Sequence, residues 1–248
     1  MTEAAVRRGR KAKFSDSEVR DRMIQHATDD VLEHGVTYGL DSVRLDRLHV
    51  LAEVPRNAAY SVFSDSSTGR TPQENLRREV VLSLLRGTPG GNASATRDVA
   101  AEKVLEFADV LASGTPEELR EARSVVIEVV AQFNHERLNS QRWIVYRSLV
   151  VAALTNPDTD QAIVDAIEEG EQKLIDNYSM LFQEFAELFR MRLKEGMTHE
   201  KFAIAVYALN EGLSNHVSRP FRDLRNGVFI SGVEALFDSF YDFTEPAF

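Results

Sequence analysis

Residues Ala52 to Phe63 read Ala-Glu-Val-Pro-Arg-Asn-Ala-Ala-Tyr-Ser-Val-Phe. Ahead of them Leu45, Leu48 and Ala52 stand three and then four apart, the spacing that lines one face of a helix. After a short turn the stretch continues as a second compact helix, on which Arg56, Asn57 and Ser61 are free to point outward. Two short helices joined by a tight turn make a helix-turn-helix, whose second helix lies in the major groove of DNA. Spacing alone does not separate that reading from a helical hairpin that only packs.

The stretch resembles the signature of the tetracycline-repressor (TetR) family of transcription regulators, commonly written Ala-Gly-Val-Ser-Arg-Gly-Thr-Leu-Tyr-x-x-Phe. Ala52, Val54, Arg56, Tyr60 and Phe63 match it, and Leu48 fits the aliphatic position before it. The match runs over about fifty residues from Val19; beyond that only an all-helical pattern of suitable length agrees. Three positions depart from the signature: Glu53 for the turn glycine, Pro55 for Ser or Thr, and Ala58 for a frequent phosphate-contacting Thr. A left-handed backbone at Glu53 would cost about 1 kcal/mol that glycine avoids. Pro55 presets φ for a helix start but carries no hydroxyl to cap it. Ala58 removes one possible hydrogen bond to phosphate.

Working outward, the next signal is charge. The chain of 248 residues carries a net charge of −10, unexpected for a nucleic-acid binder until the charge is located. Arg7, Arg8, Arg10, Lys11 and Lys13 crowd one basic arm, and residues 1–65 together carry only −1, leaving −9 for the remainder. Such polarity would turn arm and motif toward phosphate, within a Debye length of roughly 8 Å at physiological salt. The alternative is a solvated terminus with no partner. The resemblance implies DNA contacts from this arm, from Arg44, and from Arg56, Asn57, Ala58, Tyr60 and Ser61. Arg56 and Asn57 are best placed to read base edges, and Tyr60 to touch backbone phosphate.

The first helix is signed by a capping box, Ser15 with Glu18, and by a hydrophobic staple, Phe14 with Val19; Met23, Ala27 and Val31 continue its buried stripe and Gly35 ends it. Thr71, Pro72 and Glu74 start a fourth helix reaching about Arg86, with Leu76, Val80 and Leu84 inward. Thr88-Pro89-Gly90-Gly91-Asn92 reads as a linker. The expected organisation is a flexible arm over 1–14, a DNA-binding head over 15–70, a connecting helix over 71–87, and a ligand-binding and dimerisation body over 94–248. Body helices are expected near 94–112, 116–138, 140–154, 157–194, 198–217 and 226–242, with Pro116 and Pro157 at helix starts and Pro220 in a junction. Ile163, Ile167, Leu174, Tyr178, Leu181, Phe185 and Leu188 mark the longest. Apolar-polar alternation is nearly absent, so no strands are expected. The fold class is all-α: a three-helix helix-turn-helix head plus a C-terminal helical bundle.

Aromatic residues concentrate in the body. Regulators of the resembled family bind a small molecule inside such a bundle, so Phe107, Phe133, Trp143, Tyr146, Tyr178, Phe182 and Phe185 are candidate pocket residues, with Arg147 to meet a carboxylate or carbonyl. The last two helices read as an oligomer surface: Phe202, Val206, Leu209, Gly212 and Leu213 on one, and Phe229, Val233, Leu236, Phe237 and Phe240 on the other. Small Ala208, Gly212 and Gly232 would let backbones approach. The resemblance implies a four-helix dimer interface, whose two-fold symmetry sets two recognition helices about 34 Å apart on a palindromic operator. The alternative is burial of both stripes inside one subunit.

The absence of cysteine excludes disulfides and thiolate metal sites. The longest apolar run, Phe202 to Leu209, is too short for a bilayer, and no secretory signal opens the chain; a cytoplasmic protein is expected. Neither cofactor nor metal is implied. The six histidines are scattered, and Ala203 stands where His199-Glu200 would need a second histidine for zinc. No nucleophile elbow or phosphate loop is present, so an enzyme is not expected. The resemblance implies a DNA-binding transcription regulator, a repressor released by a small-molecule ligand. Two rivals are a TetR-shaped protein that acts through protein contacts, and a helical small-molecule binder or enzyme of other ancestry.

Overall fold

The computed structural model describes residues 14–36, 40–67, 69–138, 140–214 and 219–243. The chain divides into two compact units, Met1–Leu84 and Leu85–Phe248.

The first unit contains α1 (Asp16–His34), α2 (Leu45–Leu51), α3 (Arg56–Val62) and the opening turns of α4 (Pro72–Leu105). The capping box forms as its sequence demands: the Glu18 amide donates to Ser15 Oγ at 3.2 Å, and the Ser15 amide to Glu18 Oε2 at 2.7 Å. These bonds hold the Glu18 carboxyl below its usual range. Thr71 and Glu74 repeat the arrangement at the start of α4. Val19, Met23, Ala27 and Val31 of α1 are buried, as are Leu45, Leu48, Ala59, Phe63, Leu76 and Val80 of the same unit.

Because α2 and α3 are too short to be stable alone, other elements satisfy their ends. Arg44, the N-cap of α2, gives no side-chain cap; instead Gln73 accepts from the Leu45 amide at 2.9 Å and donates to the Val43 carbonyl at 2.6 Å. Arg20 donates to the Val62 carbonyl at the end of α3, pairs with Glu79 of α4, and lies over the Phe63 ring. The buried Asn75 amide donates to the Phe63 carbonyl at 2.9 Å.

The second unit holds the rest of α4, α5 (Ala108–Ser113), α6 (Pro116–Leu138), α7 (Gln141–Thr155), α8 (Gln161–Leu188), α9 (His199–Ser214) and α10 (Arg219–Phe240). Its core is aromatic: Phe182, Phe185, Phe189, Phe202, Phe237 and Tyr241 pack with ring centroids 4.4–6.2 Å apart.

Several expected boundaries are corrected. The linker expected over 88–92 is helical, because α4 continues to Leu105 and buries Thr88, Thr96, Ala100 and Val104 as an inner row. Pro89 lacks the N–H that the Leu85 carbonyl would accept. Gly170 of α8 lies against that carbonyl and the proline ring: a Cβ there would stand 3.0 Å from Leu85 O and 3.3 Å from Pro89 Cγ. The helix expected from 157 starts at Gln161 under the Asp160 side-chain cap. It ends at Leu188, six residues before the expected 194, because Arg190 takes φ 51°. The Arg190 guanidinium then donates to Leu111 and Ala112 carbonyls at the end of α5.

Two short strands, unexpected from the sequence, follow: β1 (Met191–Leu193) pairs antiparallel with β2 (Tyr241–Phe243), Arg192 opposite Asp242. Three residues are too few to show alternation. Pro220 lies in the first turn of α10, where its missing N–H costs nothing, rather than in a junction.

Candidate functional site

The helix-turn-helix turn is made where Glu53 takes φ 55°, a left-handed conformation that costs a side-chain-bearing residue about 1 kcal/mol. Pro55 is the N-cap of α3 and provides no side-chain cap. The helix therefore begins without a side-chain cap. Ala59 and, just past the helix, Phe63 are buried, whereas Arg56, Asn57 and Ser61 are exposed and Ala58 and Tyr60 half-buried. Arg44 is exposed at the start of α2.

Arg56 is engaged. Its guanidinium lies 2.9 Å from Asp46 of α2 and 5.4 Å from the Tyr60 ring centroid. The Tyr60 hydroxyl donates to the same carboxylate at 2.9 Å. The Tyr60 side chain and then Asp46 favour the charged guanidinium. Asp46 was not anticipated as a partner because it lies ten residues before Arg56, outside the motif. The basic arm, with Arg7, Arg8, Arg10, Lys11 and Lys13, lies outside the described residues.

The candidate pocket residues do not form one group. Tyr178, Phe182 and Phe185 line a cavity of about 40 Å³ with Ala100, Val126 and Val206. That is room for a water molecule or two, far below a drug-sized ligand, and the lining is nearly all carbon. Its one hydroxyl, on Tyr178, bonds Thr96. Trp143, Tyr146 and Arg147 belong instead to a separate cluster with Glu171 of α8 and Tyr207 and Glu211 of α9. Phe107 and Phe133 lie in neither; both are half-buried and face cations, Lys103 and Arg137.

The expected dimer stripe is turned inward. Phe202, Val206, Phe229, Val233 and Phe237 are buried within one protomer, and Leu209, Leu213, Leu236 and Phe240 pack against the same core. Gly232 serves the approach of α9 to α10 inside the protomer, since a Cβ there would meet Leu209 Cδ2 at 2.7 Å. The physical reason is the size of the core: the aromatic side chains of α8 need cover, and α9 and α10 supply it. Gly212 is exposed. The faces left to solvent carry Ile204 and Ala208 with Gly212 on α9, and Val228, Ser231 and Ala235 on α10.

His199 Nδ1 is 2.9 Å from the Tyr241 hydroxyl, and burial lowers its pKa, so this histidine serves packing. Among the described residues no helix is long and apolar enough to cross a membrane, and no three His, Asp or Glu side chains converge as metal ligands.

No family model matches the chain, and no curated protein matches it in sequence. A solved structure does match: a candidate TetR-family transcriptional regulator from Mesorhizobium loti MAFF303099, 17% identical, aligned over 92% of this chain and 99% of that one with a TM-score of 0.54. At that identity the likeness is one of fold. The chain has the all-α fold of this TetR-family neighbour.

Proposed function

We propose that the chain is a TetR-like transcription regulator of the cytoplasm, a repressor that binds a palindromic operator as a homodimer and is released by a small-molecule effector. One observation carries the reading: α3 and its C-cap bury Ala59 and Phe63 and leave Arg56 and Asn57 in solvent on the second helix of a helix-turn-helix. Arginine matches guanine O6 and N7, and asparagine matches adenine N6 and N7, in the major groove. The basic arm would hold phosphate. To read a base, Arg56 must exchange Asp46 for DNA, so wrong sequences would leave the ion pair preferred.

The second copy would dock on the outer faces of α9 and α10, through Ile204, Ala208, Gly212, Val228, Ser231 and Ala235. Small residues there let two helices approach closely. An effector shifts such a dimer off DNA only by binding the DNA-incompetent state more tightly. The fourth helix, α4, starts in one unit and ends in the other, and would carry that change.

The test is selection of bound fragments from a genomic library, followed by mobility-shift titration at low and moderate salt. Arg56→Ala should cost about 1–3 kcal/mol on the selected site and little on random DNA. Equal weakening on both would reduce Arg56 to a phosphate contact. No binding at either salt would favour the protein-contact rival, to which Glu53, Pro55, Ala58 and the Asp46–Arg56 pair already lend support.

A further inference from the structure

Along the aromatic wall of α8 the core of the second unit is incomplete. The cavity of about 40 Å³ beside Tyr178 lies where small residues of four other helices converge: Ala100 of α4, Val126 and Val130 of α6, Val206 of α9 and Val233 of α10. Val126 and Val130 stand four apart, on one face of α6. Across the space from them are Tyr178, Phe182 and Phe185. Each of these rings is held by another ring, which keeps it from swinging in to fill the gap. Tyr178 stacks on Phe182 at 6.0 Å, Phe182 meets Phe202 edge-on at 4.6 Å, and Phe185 lies 5.5 Å from Phe237. Protein interiors ordinarily leave few voids larger than a water molecule, and this one persists because alanine and valines, not leucines, face the rings. Val130 and Phe182 are only half-buried, so the cavity has a rim on α6 and α8.

We propose that this cavity binds a short alkyl group, the apolar part of the effector. The proposal rests on the effector half of the reading above and gives it a place and a ligand class. Water gains little in the cavity. A buried water needs several polar partners, and the one hydroxyl on the wall, that of Tyr178, is bonded to Thr96 while the rest of the lining is nearly all carbon. A charged or hydroxylated group would give up its hydrogen bonds to water and find none in return. A hydrocarbon has nothing to give up: it sheds its hydration and gains dispersion contacts with aromatic and aliphatic walls. Its position suits an effector. One occupant would touch α4, which begins in the first unit, and also α9 and α10, whose outer faces would take the second copy.

The probe is cyclopropane, titrated into the full-length protein up to its solubility limit and followed by methyl NMR. The cross-peaks of Val126, Val206 and Val233 should move and saturate in the millimolar range, as about three heavy atoms allow. Val43, buried in the first unit, should stay in place. Ethanol, of similar size but with a hydroxyl, should leave all four unmoved. Ala100→Leu, which grows into the cavity from α4, should weaken cyclopropane about tenfold. Val126→Ile is the gentler variant, adding a single methylene, and should act in the same direction. Hexan-1-ol separates two sources of the alkyl group, since its tail can pass the rim while its hydroxyl stays in water. Movement of the same methyls would assign the cavity to the end of a larger ligand, and cyclopropane binding without it would assign a free short hydrocarbon. Lining methyls unmoved by cyclopropane, equal binding of ethanol, or undiminished binding in both variants would overturn the proposal. No DNA enters this titration, so its outcome is separate from that of the mobility shift.

Discussion

Two helices of this protein, each assigned an exposed working face by its sequence, treat that face in opposite ways. In α3 the expected face is exposed: Arg56, Asn57 and Ser61 stand in solvent above a buried Ala59. In α10 the expected face is the core: Phe229, Val233 and Phe237 point inward, and Val228, Ser231 and Ala235 are outside. The difference lies in what each helix has to cover. The seven residues of α3 need one small inner contact, so polar residues are left over and can only face water. The longer α10 is apolar around much of its girth, and the aromatic ridge of α8 takes the larger side chains. Large residues mark the core, and most of the residues left outside are small.

That comparison breaks most easily at Phe237, 1% exposed amid Phe182, Phe185, Phe202 and Tyr241. Phe237→Ala should cost about 3–5 kcal/mol in urea unfolding followed by Trp143 emission, at every protein concentration. A loss seen only as dissociation, with protomer stability unchanged, would return Phe237 to the interface. The outer face gives the complementary test. Ala208→Glu should leave the unfolding midpoint of the protomer near its original value yet weaken self-association at least tenfold in sedimentation, through like charges facing across a two-fold axis. An unaltered dimer would move the interface elsewhere.

What was legible in the sequence was local. Ser15 with Glu18 and Thr71 with Glu74 form caps because each partner is three residues away and needs nothing else. The α1 stripe and the turn of the helix-turn-helix were readable for the same reason. Pro89 and its glycines misled because their local tendency is to break a helix, whereas burial of Thr96, Ala100 and Val104 and the close fit of Gly170 hold one together. The end of α8 at Arg190 depends on carbonyls of α5 that lie far away in the chain. Half of the polar cluster between α7, α8 and α9 was named from one aromatic helix, Trp143, Tyr146 and Arg147. Glu171 lies on another helix and carried no sign of its partners. Tyr207 and Glu211, four apart on α9, share a face that could have been noticed.

A smaller effect sharpens the α3 side. Glu53 holds φ 55° at the turn, so Glu53→Gly should stabilise the first unit by up to about 1 kcal/mol, less the entropy that glycine adds to the unfolded chain. Amide exchange in α2 and α3 should slow up to about fivefold, with exchange in α8 unaffected. Faster exchange in α2 would mean that the glutamate side chain contributes more than its backbone costs.

The smallest effect concerns Glu211, and only its direction is expected. Burial, with the field of Glu171, raises its pKa above the ordinary 4.5 despite Arg147. Below that value Glu211 is protonated in both folded and unfolded chains and the burial penalty is absent. As pH rises through the raised folded value, the native state must ionise a poorly solvated group that the unfolded chain ionises freely, so stability drains away. Glu18, Glu74 and Glu118, lowered by their caps, slope the other way and lose stability as pH falls. Total stability against pH therefore mixes the two. The difference between wild type and Glu211→Gln isolates one: the variant should gain on the wild type as pH rises above 4.5 and hold that gain at neutrality. A difference that shrinks over the same range would mean that Arg147 outweighs burial at Glu211.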